Sequence, residues 1–231
     1  MAVLYIVATP IGNLSDITLR ALDTLKRVSL IFAEDTRVTK KLLDRYEITT
    51  PVRSYHQHSG SKGVKEVGEA LKNGDVALVT DAGTPGVADP GNELVNQLVG
   101  ARLIAPVQIM PIPGASAVTT AASISGFNMS QFVFFGYVPK KKGRKNFFDE
   151  VARSEVSVIM YETPHRIIKT LEELHQNVLM RESSKVRRKV VVCRELTKQF
   201  ESIYRGTVEE VLEQVKKDPV KGEYVIVIES V

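Results

Sequence analysis

Short Val- and Ile-rich runs recur along this 231-residue chain, and segments of helical period fill the intervals between them. Residues 2–8, 28–33, 76–80 and 103–109 are apolar enough to be strands buried on both faces. Between them, residues 17–26, 37–46, 64–72 and 93–99 place apolar side chains at i, i+3, i+4 spacing, which predicts amphipathic helices. The second half repeats the rhythm. Strands are expected at 132–136, 157–161, 189–194, 202–205 and 224–229, with helices at 115–125, 146–153, 164–175 and 208–217. Such alternation predicts α/β architecture with largely parallel sheets, because parallel strands need a crossover and a helix usually supplies it. Pro106, Pro111, Pro113 and Gly114 crowd the midpoint, so two domains are expected, 1–113 and 114–231.

Composition removes several classes. Hydrophobic residues at 43% and charged residues at 25% match globular proteins and exclude a disordered or collagen-like chain. The single Cys193 rules out an intramolecular disulfide and fits a reducing, cytoplasmic setting. The longest apolar run, 2–8, falls far short of the roughly 20 residues of a membrane helix, so no membrane association is expected. It follows Met1 without a basic segment and reads as a strand rather than a signal peptide. The net charge of +4 is unevenly placed: residues 1–115 carry 12 Lys/Arg against 12 Asp/Glu, and residues 116–231 carry 19 against 15. The excess concentrates in 140–145 and 185–189, as in an enzyme that holds a polyanion along one edge.

Familiar motifs are missing. No G-x-G-x-x-G follows the first strand, no G-x-x-x-x-G-K-[ST] occurs, and Gly114-Ala115-Ser116-Ala117 is not a nucleophile elbow. His56 and His58 offer two ligands without a completing cluster, and Glu162-x-x-His165 is a single pair where di-iron sites need two, so no metal is expected. What remains is a set of Gly/Pro-rich loops after strands: 9–14 (TPIGNL), 81–91 (DAGTPGVADPG) and 111–116 (PIPGAS). Ligands of open α/β sheets bind at the carboxyl ends of strands, where glycine admits close backbone approach and proline fixes loop shape. Glu34-Asp35-Thr36-Arg37 also follows a strand, and serves either as a helix cap or as a polar edge of the same cleft. Acid–base clusters at 161–166 (YETPHR) and 194–198 (RELTK) follow strands of the second half, so the two halves are expected to share one cleft, with Pro164 opening a helix.

These residues carry a resemblance. Thr9–Leu14 with Asp16 to Thr18, Gly83-Thr84-Pro85 with Asp89-Pro90-Gly91, and Pro113–Ala117 resemble the tetrapyrrole methylase superfamily, the class III S-adenosylmethionine (SAM) methyltransferases. Ala33–Arg37, Val79–Pro85, Tyr161–Arg166 and Arg194–Lys198 bring the chain nearest to the members that methylate small-subunit ribosomal RNA. Corrin- and haem-pathway members usually have an acid where this chain has Thr84, which argues against a tetrapyrrole substrate. The resemblance spans roughly residues 4–228 and implies two αβα domains, SAM in the cleft between them, 2′-O-methylation of a cytidine in 16S rRNA, and a homodimer. Methylation of a tetrapyrrole or a protein side chain, or RNA binding without chemistry, are the alternatives.

On that reading, SAM would touch Pro10, Asp81, Gly83, Thr84, Pro85, Val87, Ala88, Ser116, Ala117, Tyr161 and Tyr224. Glu34 and Asp35 are the candidates for the base that a weakly acidic ribose hydroxyl needs, with Arg37 orienting ribose or phosphate and Lys198 or His165 as alternative bases. Lys140, Lys141, Lys142, Arg144, Lys145, His165, Arg166, Arg194 and Lys198 are expected to face the RNA.

Overall fold

In the computed structural model, which describes residues 2–56, 60–100, 107–179 and 188–230, the first apolar run becomes strand β1 (Val3–Val7). The alternation then proceeds as α1 (Leu19–Arg27), β2 (Leu30–Ala33), α2 (Thr36–Arg45), β3 (Val52–Ser54), α3 (Gly60–Leu71), β4 (Val76–Val79), α4 (Asn92–Gly100) and β5 (Gln108–Ile112). These form a five-stranded, wholly parallel sheet of order β3-β2-β4-β1-β5. Two strands depart from expectation. β3 is a three-residue edge strand with no apolar run to announce it. β5 extends through Pro111 to Ile112, where a loop is expected; the start of the strand expected at 103–109 lies outside the described residues. Pro111 is tolerated because β5 is an edge strand.

Period-2 burial sends each strand's side chains to both faces. Val3, Tyr5, Val7, Ile31 and Ala77 meet Ala21 and Leu25 of α1 and Leu43 of α2 on one face. Leu4, Phe32, Val76 and Leu78 meet Val67 and Leu71 of α3 and Leu94 and Leu98 of α4 on the other. Each fully buried leucine, such as Leu25 or Leu94, stabilises by about 1.5–3 kcal/mol.

The second unit contains α5 (Ala117–Ser125), β6 (Phe132–Tyr137), α6 (Arg144–Arg153), β7 (Ser157–Glu162), α7 (Ile167–Leu179), β8 (Lys189–Arg194), β9 (Ser202–Thr207), α8 (Val208–Lys217) and β10 (Tyr224–Ile228). Its sheet, β6-β7-β10-β8-β9, corrects the expectation of parallel strands. Only β6 and β7 are parallel; β7–β10, β10–β8 and β8–β9 are antiparallel. The cause is the short link 195–201 between β8 and β9, which can only reverse the chain. The missing helix between those two strands was the sign in the sequence.

The chain divides into compact units at Met1–Ser116 and Ala117–Val231. The division falls three residues beyond the expected one, because the loop after β5 belongs to the first unit. There Gly114 lies against Ala8, and the Ala115 carbonyl accepts a hydrogen bond from Thr84 Oγ1 at 3.5 Å.

Candidate active site

The strand order of the first unit fixes where a ligand can bind. From β1 the chain leaves towards β2 through α1 on one face; from β4, the neighbour of β1, it leaves towards β5 through α4 on the other. Adjacent strands whose connections part in this way leave a crevice at their carboxyl ends. The loops that enter this crevice are those after β1 and β4.

They are tied together. Thr9 N–H donates to the Gly83 carbonyl at 2.8 Å, and Gly83 N–H to the Thr9 carbonyl at 3.0 Å, an isolated antiparallel bridge. Thr9 Oγ1 donates to the Thr80 carbonyl at 3.2 Å. Gly83 has φ +76°, a left-handed conformation costly for residues with a Cβ. A Cβ there would project between Ile11, at 3.5 Å, and the Ala115 carbonyl, at 3.9 Å, so the glycine keeps open a space bordered by all three predicted loops. Beyond it, Gly86 N–H donates to the Pro90 carbonyl and Val87 N–H to the Thr84 carbonyl, folding 83–91 into a fixed cradle. Ala88 also has positive φ, +61°. Pro10 and Pro85 are buried in the base of these loops, Val87 and Ala88 are exposed on the rim, and Ser116 and Ala117 are half-buried where the first unit ends.

A row of acids lies at the ends of the neighbouring strands. Parallel register sets Ala33 beside Val79 and Ser54, so the residues that follow come out side by side. Asp35 N–H donates to Asp81 Oδ1 at 2.9 Å, and Asp81 N–H to Glu34 Oε2 at 3.5 Å. Asp35 is also the N-cap of α2: its Oδ1 accepts from Arg37 N–H at 2.8 Å, and its carboxylate takes a forked ion pair from the Arg37 guanidinium, 2.6 Å at the closest. Those hydrogen bonds hold its pKa far below the usual carboxylate range. Glu34 behaves oppositely. Burial raises its pKa, and the charges of Asp81 and Asp35 add to this, against the Asp81 N–H and the charge of His56. Two adjacent carboxyls are thereby distinguished: Asp35 is held as a charged helix cap, and Glu34 is pushed upward by burial.

In the second unit several expected site residues are spoken for. Arg144, expected to grip RNA, is 7% exposed and opens α6 from the inside. Its Nε donates to Glu173 Oε2 at 2.6 Å, Nη1 to the Pro139 carbonyl at 2.8 Å and Nη2 to Thr170 Oγ1 at 2.8 Å. Arg166 pairs with Glu162 at 2.7 Å and donates to the Val138 carbonyl at 2.7 Å. Arg194 is buried and donates to the Lys221 carbonyl at 2.9 Å. Lys198 bonds Glu195 and Glu223 at 2.8 Å each. Burial opposes its charge, but those carboxylates more than compensate and raise its pKa. Tyr224 lies in the apolar core at 2% exposure, which offers its side chain to no ligand. Tyr161 is half-buried, edge-on to Phe134 and Tyr137. His165 is exposed in a turn at 164–166; α7 begins at Ile167, not Pro164, so Glu162 and His165 do not share a helix. Lys140, Lys141, Lys142 and Lys145 are exposed. Of the second basic run, 185–187 lie outside the described residues, as does His58; Arg188 is buried on the Val151 and Ser154 carbonyls.

Sequence reasoning missed Thr170 and Glu173, and placed Thr9 in a candidate loop without a role of its own. Thr170 and Glu173, spaced i, i+3 on α7, share one helix face, which is the signal that could have paired them. Among the described residues no three His, Cys, Asp or Glu side chains gather to hold a metal ion.

Residues 3–212 match the model of the Tetrapyrrole (Corrin/Porphyrin) Methylases. The chain belongs to the tetrapyrrole methylase family. Within it, the chain is 44% identical over 230 residues to the ribosomal RNA small subunit methyltransferase I of Synechocystis, covering 99% of this chain and 79% of that one. It is 42% identical to the Bacillus subtilis protein of that name, covering 100% and 76%, and 38% identical to the Thermotoga maritima protein, covering 99% and 98%. Among solved structures, cobalt precorrin-4 methyltransferase aligns with a TM-score of 0.71 at 15% identity over 98% of this chain and 94% of that one. Uroporphyrin III C-methyltransferase of Thermus thermophilus gives 0.67 at 16% over 99% and 97%. These structures show the same fold at low sequence identity.

Proposed function

We propose that this chain transfers a methyl group from SAM to small-subunit ribosomal RNA, at the ribose 2′ oxygen of a cytidine. The observation that carries the reading is the near-full-length match, at 38–44% identity, to relatives named for that RNA, against 15–16% for the tetrapyrrole enzymes. The cradle around Gly83 fits the cofactor chemically. Backbone groups and apolar walls from the loops after β1, β4 and β5 suit an adenosine and an amino-acid tail, and no metal is required. We assign Pro10, Asp81, Gly83, Thr84, Pro85, Val87, Ala88, Ser116 and Ala117 to it; Tyr161 rests on the family resemblance alone.

SAM, when bound, supplies a methyl already activated by its sulfonium. The chain's own residues then align the ribose hydroxyl and take its proton. Holding nucleophile and methyl in line contributes up to about 7–11 kcal/mol of barrier lowering. Glu34 is the base this site offers, its upward-shifted pKa matching the task better than that of Asp35. Arg37, exposed beside it, retains charge to orient a phosphate. Work on such an RNA supports a location in the bacterial cytoplasm, and the family resemblance supports a homodimer.

The test offers radiolabelled SAM in parallel to small-subunit rRNA, assembled subunits and a corrinoid precursor, and maps labelled RNA by mass. Label on a ribose of the rRNA is expected. Label on the corrinoid alone, or SAM binding with no transfer to any acceptor, overturns the reading.

A further inference from the structure

The segment 138–145 runs from the end of β6 to the start of α6 and carries five cations in its last six residues. It is fastened from below. Arg166 Nη1 holds the Val138 carbonyl at 2.7 Å, and Arg144 Nη1 holds the Pro139 carbonyl at 2.8 Å. Val138 N–H donates to the Tyr161 carbonyl at 3.3 Å. Both guanidiniums are themselves fixed by buried acceptors. Glu162, 1% exposed, takes Arg166 and Thr163 N–H on Oε1 and the Thr170 hydroxyl on Oε2. Thr170 in turn accepts from Arg144, whose other edge meets Glu173. The Arg144 guanidinium also lies 5.2 Å from the centroid of the Phe148 ring.

A charge network this buried is a poor source of stability, since desolvation offsets most of the Coulombic gain. Its distinctive product is geometric. Each guanidinium gives one Nη1–H to one of two consecutive carbonyls while its other donors bind side chains beneath, a several-armed planar arrangement that lysine, a point charge, cannot reproduce. The next three residues, Lys140, Lys141 and Lys142, stand exposed directly after the gripped pair. We propose that Arg144 and Arg166 are positioning residues for RNA: they present Lys140, Lys141 and Lys142 as a preformed platform for consecutive phosphates, touching no RNA themselves. The proposal rests on the RNA reading above. A platform held in place spares the ordering cost that a mobile loop meets on binding.

The experiment is a salt titration of binding to a small-subunit rRNA transcript, with SAM affinity and thermal midpoint measured alongside. Lys140, Lys141 and Lys142 changed together to Ser should weaken RNA binding about tenfold and flatten the slope of log affinity against log salt by about 2. Arg144→Lys keeps the charge but loses the planar arrangement; it should flatten the slope by about 1–2, leave SAM binding unchanged, and add nothing when combined with the triple change. Glu173→Gln loosens the same guanidinium from a half-exposed position and serves if Arg144→Lys does not fold. A lower midpoint with a wild-type slope overturns the clamp, as does full additivity with the triple change. A wild-type slope in the triple variant overturns platform and clamp together while leaving methyl transfer to RNA standing.

Discussion

The crevice of the first unit and the charge network of the second solve the same problem, holding a loop still, with opposite materials. Around Gly83 the work is done by main chain: a two-bond bridge to Thr9, turns closed on Pro90 and Thr84, and a positive φ that excludes side chains. Around Glu162 it is done by buried guanidiniums and carboxylates that grip carbonyls of another segment. The first leaves a space at Gly83 bordered by Ile11 and the Ala115 carbonyl. The second leaves an outer surface of lysines with nothing but structure beneath. A loop that must admit a ligand closely is best built from glycine and backbone; one that must present charge outward needs its own charges compensated within.

The sharpest test of the contrast lies where it is least complete, at the acid row. Glu34→Gln should lower methyl transfer by about 10²–10⁴-fold with SAM affinity unchanged, whereas Asp35→Asn, at a carboxyl engaged as a cap, should act mainly on stability. Equal losses in single-turnover assays would end the distinction. The pH profile carries the same sign. A base must be unprotonated, so the rate should rise with pH through an acid limb above 4.5, the ordinary glutamate value, because burial raises the pKa of Glu34. The limb should vanish in Glu34→Gln.

Next in size is Glu162→Ala. Removing a fully buried acid strands the partly buried Arg166 and costs about 3–5 kcal/mol, read from urea unfolding. A loss below 1 kcal/mol would mean the network is not sealed. Smallest in stability is Gly83→Val, about 1–2 kcal/mol from a left-handed backbone, since its Cβ meets Ile11 only at ordinary contact distance. Its larger consequence should be calorimetric, as the branched side chain fills that space and weakens SAM binding. Unchanged SAM affinity would move the cofactor away from this loop.

Much of this was legible in the residues. Alternating apolar and helix-period segments give two α/β units, because burial on both sheet faces demands unbroken Val/Ile runs and crossovers demand amphipathic helices. The three Gly/Pro loops were legible for the same reason: glycine and proline restrict backbone locally, and local restrictions are written in local sequence. Three matters were decided elsewhere. The antiparallel arrangement of the second sheet followed from which strands lie side by side, with only the missing helix as a hint. The exposed Lys140 and the buried Arg144 look alike in a basic run, and what parts them is Glu173 and Thr170, far along the chain. Glu34 and Asp35 are adjacent carboxylates that only their partners distinguish, Arg37 for one and burial beside Asp81 for the other. Backbone conformation is a short-range property and stands in the sequence; the protonation and exposure of a charge depend on whatever the fold sets beside it, and only the tertiary structure decides that.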